Sequence, residues 1–101
     1  MQKNYSIKKE NKGNIIHVTL GGDLTLNNIK KLKDEFLTLL NAGKSVKVKI
    51  ANVENIDLGF IQLFQSFIWT AKQSSTDIQF TLDLNDQQNI LLSNAGITLK
   101  N

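Results

Sequence analysis

The side chains able to do chemistry in this chain are few, and their spacing keeps them apart. There is one histidine, His17, and no cysteine. Thiol nucleophiles, disulfides and thiolate metal sites are therefore excluded, as is a metal site built from several histidines of one chain. Catalysis needs a nucleophile beside a base, an acid paired with a base, or a metal, and no such combination is legible. Asp34-Glu35 falls on a solvated helix face, and Asp86, close after Asp83, stands where a helix cap is expected. The Gly21-Gly22 pair matches neither G-x-G-x-x-G nor the P-loop pattern. His17 stands alone in a strand pattern, opposite the apolar set, and reads as structural. The expectation is a non-enzymatic protein with no catalytic residue, no cofactor and no metal.

Charge points the same way. All 12 basic residues are lysine, against 9 acidic ones, for a formal net charge of +3. Nucleic-acid readers lean on arginine for bidentate contacts. The lysines are scattered as Lys8, Lys9 and Lys12, then Lys30, Lys31 and Lys33, then Lys44, Lys47 and Lys49. They read as solubilising surface charge, and no nucleic-acid partner is expected.

The elements that must position any site follow from periodicity. A length of 101 residues fits one domain, 1–101. No apolar run approaches the roughly 20 residues that span a bilayer. Met1 to Asn14 is polar and Lys-rich, unlike a signal peptide, so a cytoplasmic location without membrane insertion is expected. Tyr5 to Lys9 reads as a short edge strand, with a hairpin turn at Asn11-Lys12-Gly13-Asn14. Ile16, Val18 and Leu20 alternate as a half-buried strand, and Gly21 to Thr25 reads as a loop. A helix capped by Thr25 or Asn27 carries Ile29, Leu32, Phe36, Leu39 and Leu40 at helical spacing, with Gly43 as its left-handed stop.

Val46, Val48 and Ile50 alternate with Lys47 and Lys49, so one face of the sheet is wet there. Ala51 to Ile56 reads as a connection. Asp57 is the natural cap of a central helix from Leu58 to about Gln73, with a stripe of Phe60, Leu63, Phe64, Phe67, Ile68 and Ala71. Ile78, Phe80 and Leu82 form a fourth strand, and a last helix capped by Asp86 runs to Asn94-Ala95-Gly96. Off the central stripe, Leu58, Ile61 and Trp69 share a flank. That flank is either an interface or the seat of the last helix or a loop. The order is β-β-α-β-α-β-α, with the later strands mostly parallel and joined by right-handed crossovers.

This order, with three short motifs, resembles the STAS domain of sulfate transporters and anti-sigma-factor antagonists. Leu20-Gly21-Gly22-Asp23-Leu24-Thr25 is similar to the family's Gly-acidic-Leu turn. Ile56-Asp57-Leu58-Gly59-Phe60-Ile61-Gln62-Leu63 is similar to the helix start that carries Asp-Ser-Ser-Gly-Leu or a variant. Asn94-Ala95-Gly96-Ile97 is similar to the Gly-Ile after the last family helix. The chain departs from the pattern at three places. Leu58 and Gly59 stand where the phosphoacceptor serine is found, Thr25 where an acidic residue is usual, and Lys49 where an aspartate often ends the third strand.

The resemblance implies an α/β fold with a four-stranded mixed sheet and helices packed mainly on one face. It implies regulation by protein binding, as an anti-sigma-factor-antagonist-like element or an adaptor in bacterial two-component or partner-switching signalling. The partners implied are an anti-sigma factor or kinase, a histidine kinase or a response regulator. The alternatives are a subunit of a lipid-transport ABC complex bound to its ATPase, and a small-ligand sensor. The expected docking surface joins Asp23, Leu24 and Thr25 to Asp57, Leu58, Gly59 and Gln62. In that surface Leu58 is the apolar anchor, and Gly59 leaves the helix start bare for close approach.

Overall fold

The computed structural model describes residues 4–94. The elements are β1 (Tyr5–Lys12), β2 (Ile15–Leu24), a one-turn 3-10 helix (Leu26–Asn28), α1 (Ile29–Asn41), β3 (Ser45–Ile56), α2 (Leu58–Gln73), β4 (Ile78–Leu82) and α3 (Asp86–Asn94). The strands form one sheet in chain order, β1-β2-β3-β4. β1 pairs antiparallel with β2 through a tight turn, whereas β2, β3 and β4 are parallel. Parallel neighbours need a crossover, and α1 and α2 supply the two crossovers. The result is the expected four-stranded mixed α/β sheet.

Alternation along the strands sorts the side chains. Val18 and Leu20 of β2, Val46, Val48 and Ile50 of β3 and Phe80 of β4 face α1 and α2. Leu32, Phe36 and Leu39 from α1 meet Phe60, Phe64 and Phe67 from α2 over this face. Phe36 stacks on Phe67 with ring centroids 4.5 Å apart, and Phe64 meets Phe80 edge-on at 5.6 Å. Burying each such side chain contributes about 1.5–3 kcal/mol, and the aromatic geometry adds to it. The opposite face displays Lys47, Lys49, Gln79 and Thr81, all exposed. The helices therefore lie on one face, and the wet face inferred at β3 extends across the parallel strands.

Four local expectations need correction. β2 runs through Leu24, so residues 21–24 are strand and not loop, and β3 runs through Ile56, so 51–56 is strand and not connection. The pairing shifts register between Leu20 and Gly22 and again between Gly22 and Asp23, and Asn52 adopts φ 55°. Such bulges break the period of two on which strand recognition rests. A Cβ at Gly21 would lie 2.1 Å from the Ala51 carbonyl oxygen. The glycine there permits close approach of two strands and makes no turn.

β1 likewise extends to Lys12, and the turn narrows to Gly13-Asn14. Finally, Asn85 caps α3, not Asp86. The Gln88 N–H donates to Asn85 Oδ1 at 2.8 Å, and the Asn85 N–H donates to Gln88 Oε1 at 3.0 Å, a reciprocal capping box. Asp86 lies in the first turn, where its charge suits the helix dipole. Gln88 also donates to the Val53 carbonyl at 3.0 Å, tying α3 to the end of β3. Of the closing motif, residues 95–97 lie outside the described residues.

Candidate docking site at two helix starts

Parallel pairing of Leu24 with Ile56 brings the carboxyl ends of β2 and β3 to one level. The 3-10 helix before α1 and the start of α2 therefore begin side by side. Asp57 joins them. Its backbone is extended, with φ −133° and ψ 174°, and Oδ1 accepts the Phe60 N–H at 2.9 Å, which caps α2. Oδ2 accepts the Leu26 N–H at 2.9 Å, across 31 residues of sequence. The Asp57 N–H donates to the Leu24 carbonyl at 3.3 Å. One carboxylate thus satisfies orphan donors at two helix starts.

A second carboxylate braces the surface from beneath. Asp23 is only 2% exposed. Its Oδ2 accepts the Thr25 hydroxyl at 2.9 Å and the Asn28 side-chain amide at 3.1 Å. The same amide reaches the Asp23 carbonyl at 2.9 Å. Thr25 Oγ1 accepts the Asn27 N–H at 3.3 Å, so Thr25 caps the 3-10 helix, while the N-cap residue of α1 is Asn28 and not Thr25 or Asn27 as expected. Among the described residues no buried side-chain nitrogen or oxygen lacks a partner. These bonds account for the Asp23 carboxylate.

This framework shows two leucines to solvent. Leu26 is 65% exposed and Leu58 47%. Leu26 lies over Gly59, where a Cβ would come within 2.6 Å of Leu26 Cδ2. The bare spot expected at Gly59 is thus occupied by a leucine of the neighbouring helix start. At 100° per residue, Gln62 and Trp69 fall about 40° and about 20° from Leu58. Both are exposed, Trp69 by 64%.

Of the residues expected at the surface, Thr25, Asp57, Leu58, Gly59 and Gln62 come together there. Asp23 and Leu24 lie below it, Leu24 with no exposure at all. Ile61 leaves the flank assigned to it: it is 2% exposed and shares an apolar crevice with Ile56, Leu82 and Leu92 beneath α3. Packing under the last helix is therefore correct for Ile61, and exposure for Leu58 and Trp69. Leu26 was not singled out from sequence. The available signal was a leucine directly after the Thr25 cap and off the Leu32-Phe36-Leu39 stripe.

The group with a displaced titration lies elsewhere. Tyr5 on β1 is raised above its ordinary value by burial, with Glu35 and Asp34 adding to the effect. Among the described residues no three His, Cys, Asp or Glu side chains converge as metal ligands would. No described helix is long and apolar enough to cross a membrane.

The fold is a two-layer α/β sheet with two capped helix starts and two exposed leucines at one end. The chain belongs to the STAS family: the family model described as "Mlab, STAS domain" matches residues 7–97. Among solved structures it is similar to the Bacillus cell-fate determinant SpoIIAA in its phosphorylated form. That match has 11% identity and a TM-score of 0.65, covering 90% of this chain and 84% of that one. It is also similar to part of Mglu, with 16% identity and a TM-score of 0.66 over 78% of this chain. The chain spans 20% of the length of that protein. At these identities the likeness is one of fold. The comparison with curated proteins gave no match.

Proposed function

We propose that this chain is a non-catalytic regulatory module that docks a protein partner on the paired helix starts, in the manner of an anti-sigma-factor antagonist or a bacterial signalling adaptor. The observation that carries the reading is the Asp57 clamp, which holds Leu26 across Gly59 beside Leu58. Both leucines are exposed yet pre-positioned, so a partner meets an ordered apolar pair and little ordering cost remains at binding. The partner class is an anti-sigma factor of kinase type, a histidine kinase or a response regulator. Leu58 and Gly59 carry no hydroxyl, so a phosphate cannot switch the contact at these positions.

That same absence favours a second reading, a permanent contact. It suits the subunit of a lipid-transport ABC complex that the STAS resemblance also implies, and the match to the Mlab STAS model supports it. A small-ligand sensor has less support. The apolar crevice under α3 holds only about 10 Å³, and the larger hollow of about 300 Å³ is an open one lined by lysine, threonine, glutamine and histidine, whereas ligand pockets are enclosing and mostly apolar.

The test is affinity capture from the source cells, with bound proteins identified by mass spectrometry. Wild type is compared with Leu58→Asp and Gly59→Ala. Aspartate in the first turn of α2 complements the helix dipole, and alanine suits a helix better than glycine by about 1 kcal/mol. Both variants should keep their stability. Gly59→Ala pushes Leu26 off its seat, and Leu58→Asp removes the second leucine. A kinase-type anti-sigma factor, histidine kinase or response regulator captured by wild type and lost in both variants supports the regulatory reading. A transporter ATPase with the same pattern supports the subunit reading. Retention of the partner by both folded variants removes this surface from the proposal.

A further inference from the structure

Parallel strands are normally covered on both faces, yet β2, β3 and β4 carry helices on one face only. The other face is a shallow concavity of about 300 Å³ lined by His17, Thr19, Lys47, Lys49, Gln79 and Thr81. The register sets His17 beside Lys47 and Gln79, and Thr19 beside Lys49 and Thr81. β1 continues the face, because Lys8 pairs with Thr19 and Glu10 with His17. Lys8 and Lys12 each lie 3.7 Å from Glu10. Lys8, Lys12, Lys47 and Lys49 outnumber Glu10 on this face, and the exposed Asp77 and Asp83 stand at the two ends of β4. Four of the twelve lysines are brought together on this face.

We propose that this open face is a second docking surface, and that its occupant is an acidic, extended protein segment. Positive potential with hydroxyl and amide donors between the lysines complements carboxylates. Lys47 and Lys49 are two residues apart on one strand, about 7 Å, which matches acidic residues at alternate positions of an extended chain. Nucleic acid fits less well: the face has no aromatic platform for bases and no arginine fork for phosphate. A lipid surface fits less well too, since the large exposed apolar residues Leu26, Leu37, Leu58, Trp69 and Ile90 belong to the helical elements and none can insert from this side. Residues 1–3 and 95–101 contain no aspartate or glutamate, so they lack the charge to fill the face. The proposal is independent of the helix-start surface.

The experiment is an amide-shift NMR titration of the full chain with a synthetic peptide alternating glutamate and threonine. Single-stranded RNA and phosphatidylglycerol vesicles are titrated in parallel at the same low salt. Shifts should centre on His17, Thr19, Lys47, Lys49, Gln79 and Thr81 and fade with added salt. The double variant Lys47→Glu/Lys49→Glu should weaken the peptide about tenfold or more, while Leu58→Asp leaves it unchanged. Lys47→Gln/Lys49→Gln, which removes charge without reversing it, serves where the first variant fails to fold. Equal shifts at Lys30, Lys31 and Lys33 of α1, or binding indifferent to the lysine variants, would overturn the proposal. So would tighter binding of RNA or vesicles than of the peptide, or a homodimer of the chain that the lysine variants dissociate.

Discussion

At the scale of the residue, Asp57 does two jobs with one carboxylate, and substitution can separate them. Asp57→Ala removes both accepted hydrogen bonds and leaves two helix starts with orphan donors. Losing a cap costs about 0.5–2 kcal/mol, so the pair should cost about 2 kcal/mol, a fall in Tm of roughly 10 °C for a domain of this size. Asp57→Asn retains an oxygen for the Phe60 N–H but turns an amide donor toward the Leu26 N–H. It should lose about half as much stability while freeing Leu26, seen as faster hydrogen exchange at the Leu26 amide. An Asp57→Asn variant as stable as wild type would show that the Leu26 bond carries no weight, and equal losses in the two variants would show the same of the Phe60 bond. The cap on α2 was legible in the sequence because aspartate before an apolar run is a local signal. The bond to Leu26 was not legible, because it spans 31 residues and depends on how two strands end. Leu24 shows the same limit: its type fits either a core or an anchor, and only pairing with Ile56 decides for the core.

At the scale of the element, the paired ends of β2 and β3 set where the site stands. Gly21 lies against the Ala51 carbonyl, and the register slips around Gly22 let both strands run on to Leu24 and Ile56. Gly21→Ala would force these backbones apart. Overpacking of this kind costs about 1–3 kcal/mol, and the effect should reach Asp57 and Leu26 at the strand ends. We expect a lower urea midpoint, with amide-shift changes running from residue 51 to residue 58. An unchanged midpoint would mean that the strands can separate here without cost. The same segment marks where sequence reading fails. Regular alternation at Ile16-Val18-Leu20 and Val46-Val48-Ile50 was legible as strand, and the Phe60-Phe64-Phe67 stripe as helix, because each carries one clean period. Residues 21–24 and 51–56 carry no period, since a bulge is a relation between two strands.

At the scale of the whole molecule, apolar packing is confined to one side of the sheet, and the other side is open and carries four lysines. The phenylalanine cluster secures the helical side, and nothing in that packing requires the open face to be basic. Gathering Lys8, Lys12, Lys47 and Lys49 there carries a cost in self-repulsion. Lys49 makes the cost measurable. It is exposed, its strand partners on this face are Thr19 and Thr81, and Lys47 lies two residues away. Lys49→Glu would turn a repulsion with Lys47 into an attraction, with no change of burial and little change in strand preference. At low salt the variant should be more stable than wild type by about 0.2–1 kcal/mol, the range of exposed charge pairs. High salt should erase the gain, because the charges are solvent-exposed. Urea unfolding at the two salt concentrations checks both statements. A variant that gains stability while losing the acidic peptide would show that the lysines are held at the expense of the fold, as a binding face requires. If Lys49→Glu is no more stable at low salt, the lysines do not strain the face, and their gathering there loses that mark of function.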